Sequence, residues 1–461
     1  MSCSRGVRLG IKSEVIEMSY VITEERLKKC REARKAMREE RFEKVRNVLG
    51  DKAIDELRDL YNIFDEGYYI WLASLYDPEI GGFYCVQSGR DAKGFLPDIE
   101  STVQALHCTE VMGLTYGKPM REAYSDKVKS ALLNFVRSLQ DPENGYFYHP
   151  QWGRKINIPR RGRDLSWSMW LYEMLDEKPL YPTPLDKTND GKKSASLPDH
   201  LQTIEAFKSY LAAFDLKTKS YWTGNMLQSQ TKQIQAAGPE FVRALFDWLK
   251  ENQREDNGLW QEVTNYDSVN GLMKLTLIYS ALGEPVPNSR AALQSAINVA
   301  LSDEKITFCC QFYNPFSTIA GILANIKKFE GENAAKELKT QLIEQAPKII
   351  RKTREKISLC KNPENGSFSY NPYGAPRGRV SMMAPIGLGL PTDSDINGGT
   401  ICLNGAVRNM CDAFGIKVIP AFCDEDAALF HDILNNAEQY PKIYEKPEWF
   451  EDLLRPEGSE W

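Results

Sequence analysis

The stretch Q140-D-P-E-N-G-Y-F-Y-H-P-Q-W-G-R-K-I-N-I-P-R-R-G-R-D164 decides the fold. Before it, Val128, Leu132, Phe135 and Leu139 fall on one helical stripe. After it, Trp167, Trp170, Leu171, Met174 and Leu175 fall on another at i, i+3, i+4 spacing. Two helices with core faces are therefore joined by a connection too elaborate for a simple turn. Asn144-Gly145 forces a tight reversal, because glycine accepts positive φ, and a polar, aromatic and basic segment follows before Asp164 is placed to cap the second helix. Loops of that chemistry commonly bind something.

The design recurs. W248-L-K-E-N-Q-R-E-D-N-G-L-W260 follows the apolar stripe of Phe241, Ala244, Leu245 and Trp248, and K361-N-P-E-N-G-S-F-S-Y-N-P-Y-G-A-P-R-G-R379 repeats the asparagine-glycine turn. Ile80–Tyr84 and Lys219–Trp222 read as weaker copies. Repeats separated by helical hairpins predict one closed helical array.

Helices are expected over 23–48, 52–76, 200–214, 230–252, 268–282, 288–302, 315–328, 332–358, 399–414 and 424–437, and no strand-like alternation persists, so the class is all-α. Residues 1–22 read as a disordered N-terminal extension, with Met18 a second candidate start, 23–440 as a single toroid domain with a mobile excursion at 182–199, and 441–461 as a C-terminal tail. A net charge of −5 over 461 residues gives no global attraction to nucleic acid. No apolar run has membrane-spanning length and no apolar signal core opens the chain, so a cytoplasmic protein without nucleic-acid or membrane partners is expected. The ten cysteines show no metal-ligand spacing and read as buried free thiols; no metal or cofactor is expected.

Gln253–Trp260 matches in full the turn called QW in terpenoid cyclases, and Gln140–Phe147 matches it with Phe in place of Trp. Over residues 50–440 the chain thus resembles the α/α toroid superfamily of triterpene cyclases, prenyltransferase β subunits, and many polysaccharide lyases and glycoside hydrolases. The resemblance implies an (α/α)5–6 barrel and leaves the chemistry open. The DxDD acid of triterpene cyclases and the DDxxD magnesium motif are absent, as are an Asp-x-Cys zinc set, a phosphate loop and a Rossmann turn.

Asp98, Glu100, Asp164, Asp267, Asp393 and Asp395 lie at or just before the second helices of these hairpins. They read either as helix caps or as a ring of carboxylates from which an acid and a base for glycoside hydrolysis are drawn. Arg154, Lys155, Arg160, Arg161 and Arg163, echoed by Arg377 and Arg379, read as a solvated basic face or as a clamp for an acidic sugar. Around them stand Tyr146, Tyr148, His149, Gln151 and Trp152, or Tyr370, Asn371 and Tyr373. Of the four histidines only His149 has chemical company, and Cys309–Pro315, with Tyr313 and Asn314, is placed to line a cleft.

This mixture matches β-elimination from a uronate. A cation or amide neutralises the carboxylate, and a base takes the C5 proton. The expected function is cleavage of an acidic, uronate-containing oligo- or polysaccharide, with His149, Tyr148, Tyr313 or Tyr370 as base and Arg160, Arg161, Arg163 and Asn371 on the carboxylate. Hydrolysis by two of the carboxylates, Asp98, Asp164 and Asp395 among them, is the alternative, and a non-catalytic glycan-binding toroid is the third reading.

Overall fold

The computed structural model describes residues 22–372 and 386–453. Among these there are helices and isolated β-bridges but no strand. Six hairpins follow one another as outer helix then inner helix: α1 (Glu66–Ser74) and α2 (Ile99–Met112); α3 (Asp126–Ser138) and α4 (Ile158–Leu175); α5 (Ile204–Ala212) and α6 (Leu216–Gln228); α7 (Pro239–Asn252) and α8 (Tyr266–Leu282); α9 (Ser289–Ala300) and α10 (Cys310–Glu330); α11 (Ala346–Ser358) and α12 (Ile396–Leu403). The even-numbered helices form a closed ring. α2 packs on α4, α6 on α8, α8 on α10, α10 on α12, and α12 back on α2, while α4 meets α6 where Gly162 abuts the carbonyl of Ser229. The fold is an all-α toroid with six hairpins. Outside the ring, Asp424–Asn435 packs on α1 and on Glu24–Leu49, and Asp51–Tyr61 packs on α11.

Four of the hairpins turn in the same way. The amides of Asp77, Asp141, Arg254 and Asn362 donate to the carbonyls of Gly82, Tyr146, Leu259 and Ser367, and the amides of Gly81, Gly145, Gly258 and Gly366 donate back. Each of these four glycines has positive φ, from +67° to +90°. Each also touches the next hairpin: a Cβ would strike the carbonyl of Ala131 in α3 from Gly81, that of Pro182 from Gly145, the backbone of Ala292 in α9 from Gly258, and Asp65, at the start of α1, from Gly366. The residue that opens the turn reaches the same way. Gln140 Nε2 donates to Tyr181 O (2.8 Å), Gln253 Nε2 to Pro287 O (3.0 Å), and Lys361 Nζ to Ile63 O (2.6 Å). The last turn therefore docks on the first hairpin, which closes the circle.

Several expected boundaries shift for identifiable reasons. The 52–76 helix is two, Asp51–Tyr61 and α1, because Asp65 accepts from the Gly67 amide and starts a new helix. The 230–252 helix breaks at Gly238 (φ +134°), and 332–358 divides into Glu332–Ile343 and α11. The weak copy at Lys219–Trp222 is not a turn: it lies inside α6, kinked at Lys219 (φ −130°, ψ 37°). α12 loosens into a π-helical turn over Asn404–Asn409, a feature that often marks function. The 182–199 excursion lacks regular structure for most of its length, yet Thr183 and Leu197 are buried and Thr183 is held by Asp186. No helix among the described residues is long and apolar enough to cross a membrane.

Docking through glycine predicts a specific loss. Gly258→Ala should destabilise the protein by more than the roughly 1–3 kcal/mol that a left-handed backbone alone costs a non-glycine residue. Gly117→Ala, at the same φ (+68°) with nothing within 4 Å of the new Cβ, should show the backbone cost only. Urea unfolding of the two variants measures the difference, and equal losses would count against the docking.

Candidate active site in the central cavity

All six inner helices, with the short helix Thr231–Ala237, line a central cavity of about 570 Å³. Its wall carries the stacked indoles of Trp167 and Trp170 (centroids 5.3 Å apart, 11° between planes), the phenols of Tyr221 and Tyr313, and the amides of Gln104, Asn314, Asn397 and Asn404. The charged or nucleophilic members are Arg163, Lys232, Lys274, Glu173, His107 and Cys310. A second cavity of about 500 Å³ shares His107, Leu277, Tyr313 and Asn404 with the first and opens among Lys327, Lys339 and Arg408.

Behind the Arg163 wall lies a buried ionic quartet. Glu100 Oε2 accepts from Arg160 Nη1 (2.6 Å) and Arg163 Nε (2.7 Å), its Oε1 pairs with Arg163 Nη2 and accepts from Gln104 Nε2 (3.0 Å), and Arg160 also clamps Asp164 through Nε (3.0 Å) and Nη2. Two cations and two carboxylates cancel, which is what allows Arg160 to be wholly buried. Burial pushes against the charge of Glu100, but the two guanidinium groups prevail and hold its carboxyl down at about 2. The Asp164 carboxyl is raised by burial against the pull of Arg160.

The basic cluster is therefore not a loop. α4 begins at Ile158, capped by Asn157 rather than by Asp164, and Arg160, Arg161 and Arg163 occupy its first turns. Arg161 stacks over the ring of Tyr146 (4.6 Å), away from the cavity lining, and Arg154 pairs with Asp141 and Glu143. Only Arg163 reaches the cavity.

His149 is corrected as a base. The side chain is buried, Nε2 donates to Pro97 O (2.7 Å), Nδ1 accepts from the Gln151 amide (3.1 Å), and the ring stacks on Trp152 at 4.0 Å. Both nitrogens are thus occupied, and burial lowers its proton affinity to about 4. Trp152 is buried too, Gln151 Oε1 holds the Leu96 amide (2.9 Å), and the Tyr148 hydroxyl accepts from Asn144 (3.1 Å). His149 and Gln151 thus fasten the loop between α3 and α4 to the one before α2, while Tyr148 and Trp152 make their contacts within the former.

The carboxylate ring resolves largely into caps. Asp98 accepts from Ser101 N (2.9 Å) and Asp395 from Gly398 N (2.6 Å) and Tyr370 N (2.7 Å), each one residue before its inner helix. Asp393 holds Ser88, and Asp267 accepts from Gln261 (3.2 Å). Asp98, Asp164 and Asp395 are buried and absent from the lining of the cavity. Of the remaining expectations, Tyr313 and Asn314 do line it, and Tyr370 lies just behind, its hydroxyl 3.5 Å from Cys310 Sγ. Asn371 follows it, its carbonyl accepting from Ser369 Oγ (2.6 Å). Arg377, Arg379 and Tyr373 lie outside the described residues.

Sequence reasoning missed Lys274, Tyr221 and His107. Lys274 stands alone in the sequence of α8, and burial with the nearby Arg163 lowers its ammonium to about 8. His107 packs on Trp170 (5.1 Å) and is lowered to about 4, first by burial and then by Arg408. The available signal was that α4 is apolar or aromatic on two faces: Leu165, Leu171 and Tyr172 face the outer layer, whereas Trp167 and Trp170 face inward.

No protein-family model matches the chain, and no curated protein matches it. Among solved structures, a protein from Actinoplanes shares 16% identity over 79% of this chain and 99% of its own, with a TM-score of 0.38. A variant of the type II terpene cyclase MstE from Scytonema, in complex with merosterolic acid A, shares 15% identity over 81% of this chain and 99% of its own, with a TM-score of 0.35. Likeness at that level assigns no activity to this chain.

The capping role of Asp98 has a pH signature. Burial pushes its carboxyl up to about 7 against an unfolded value near 3.8. The folded state then holds more protons between these values, so stability from this group is full below about 4 and is lost as pH rises through about 7. Asn caps as well as Asp, and its Nδ2 would take the place of Oδ2, which has no hydrogen-bond partner among the described residues. Asp98→Asn should therefore gain at least about 1 kcal/mol relative to the parent on going from pH 5 to pH 8. Urea melts at the two pH values measure it, and a constant difference would refute the assignment.

Proposed function

We propose that the chain is a carbohydrate-active enzyme that cleaves an acidic, uronate-containing oligo- or polysaccharide by β-elimination in the central cavity. The observation that carries the reading is the lining of that cavity, where a stacked tryptophan pair, three cations, phenols and amides converge. Aromatic faces suit the apolar faces of sugar rings. Cations suit the uronate carboxylate.

The chemistry divides among residues of different helices. Arg163 and Asn314 bind the carboxylate and draw charge from it, which makes the C5 proton acidic. Lys274, half deprotonated near pH 8, takes that proton through Nζ. The C5–H electrons form the C4–C5 double bond as the C4–O bond breaks. The Tyr313 phenol, raised by burial and so holding its proton, supplies it to the leaving oxygen. Hydrolysis by paired carboxylates has less support, since Glu173 is the one carboxylate among the described residues of the lining.

The test is incubation with a panel of uronate-containing polysaccharides, followed by ultraviolet absorbance of the conjugated uronate and by a reducing-end assay. Absorbance should rise, the rate should climb with pH through about 8 as Lys274 loses its proton, and Lys274→Met should lower kcat by roughly 100-fold or more. Reducing ends without absorbance would replace elimination with hydrolysis. Binding without turnover would leave a glycan-binding toroid.

A further inference from the structure

Cys310 is the first residue of α10, a 21-residue helix, and lines the central cavity. Three observations set it apart from the other buried thiols. Its Sγ lies 3.5 Å from the Tyr370 hydroxyl, and Tyr370 is fixed there by the hydrogen bond from Cys309 N to its carbonyl (2.8 Å), by that from its own amide to Asp395 Oδ2 (2.7 Å) and by stacking on Phe308 (5.6 Å, 6°). Lys274, for which no ion pair is formed among the described residues, is close enough to act on it electrostatically, and Tyr221 reaches it from α6. One turn along the same helix, Asn314 also lines the cavity and is wholly buried. Its Nδ2 donates to Asn270 Oδ1 (2.9 Å), which leaves Asn314 Oδ1 and Asn270 Nδ2 without partners among the described residues. Exchanging O and N in both amides leaves the pair one donor and one acceptor short again. That deficit points to a ligand in the cavity.

The surroundings favour the charged form of the thiol. Hydrogen bonds from Cys309, Tyr370 and Tyr221, with the Lys274 charge, lower the Cys310 thiol against its burial, and the helix N-terminus adds a positive end. Burial raises the two phenols, so they keep their protons and donate. Tyr313 on α10 also faces the thiol, Cys360 and Cys402 lie behind Cys309, and Glu100 and Arg163 act through Lys274.

We propose that Cys310 is a nucleophilic thiolate that captures an electrophilic carbon of a cavity ligand, the fitting class being an α,β-unsaturated carbonyl compound. The sulfur forms a bond to the β carbon, the π bond breaks, and the α carbon takes a proton from Tyr221, Tyr370 or water. This inference shares the cavity and Lys274 with the sugar reading, but it concerns a thiol that the elimination does not use, and its labelling readout does not depend on sugar turnover.

N-ethylmaleimide, itself a conjugated alkene, serves as the probe, on the folded full chain with Cys3→Ser to remove the thiol outside the described residues. Intact-mass and peptide analysis should show one adduct, at Cys310, that Cys310→Ser abolishes. The rate should follow an apparent pKa below the roughly 8.5 of an ordinary cysteine. Lys274→Met and Tyr370→Phe, which retain the thiol, should each slow labelling at pH 7 several-fold and shift that pKa upward. An adduct at another cysteine, no adduct before unfolding, or an apparent pKa of about 8.5 or higher would each overturn the proposal.

Discussion

The structure depends on a backbone constraint repeated around the ring: a left-handed glycine that lets one hairpin turn press against the next hairpin. At Gly81, Gly145 and Gly258 the obstacle is the backbone of the neighbour, so a side chain cannot rotate out of the way. At Gly366 it is Asp65, at the entrance to the first hairpin. Spacing between hairpins is thus set by main-chain contact rather than by side-chain size. Gln140, Gln253 and Lys361 extend the same contact with hydrogen bonds to backbone carbonyls.

Given that spacing, the inner helices bury one face in the outer layer and turn the other to a hole too wide to fill. Polar groups there need partners. The quartet of Glu100, Arg160, Arg163 and Asp164 solves this on the side of α2 and α4 by balancing charge within the wall. On the side of α8 and α10 the balance is incomplete: among the described residues Lys274 has no counter-ion at bonding distance, and the Asn270–Asn314 pair leaves two atoms unsatisfied. The two sides of one cavity therefore differ in kind, one balanced in charge within the wall, the other with capacity to spare.

Much of the fold was legible because glycine and asparagine state their turns locally. Asn144, Asn257 and Asn365 each accept the amide two residues on, and the periodic stripes before and after them gave hairpins. The fourth turn, at Gly81, was the weakest in sequence because it lacks that asparagine. The start of α4 was misplaced for a different reason: Arg160 and Arg163 read as solvated until their carboxylate partners, Glu100 from 60 residues away among them, are known. The site was harder to see. Tyr313 and Asn314 were legible from an aromatic, amide-bearing segment before a helix. Lys274 was not, since one lysine on an apolar helix ordinarily points to solvent, and only ring closure turns that face inward. His149, by contrast, stood out by company that exists to hold a loop.

Closure of the ring also sets an order in time. Thr400 Oγ meets the Gln104 carbonyl across 296 positions, Ile396 N donates to Cys85 O, and Phe422 N to Met112 O. At a synthesis rate of roughly 5–20 residues per second, the first hairpin waits about 15–60 s for the segment that completes it. During that interval Tyr68 and Tyr69, which end up packed on Phe422, have no cover from it. Of the six hairpins, the one made first thus stays unfinished until the last is in place, and its aromatic face lacks that shelter in the meantime.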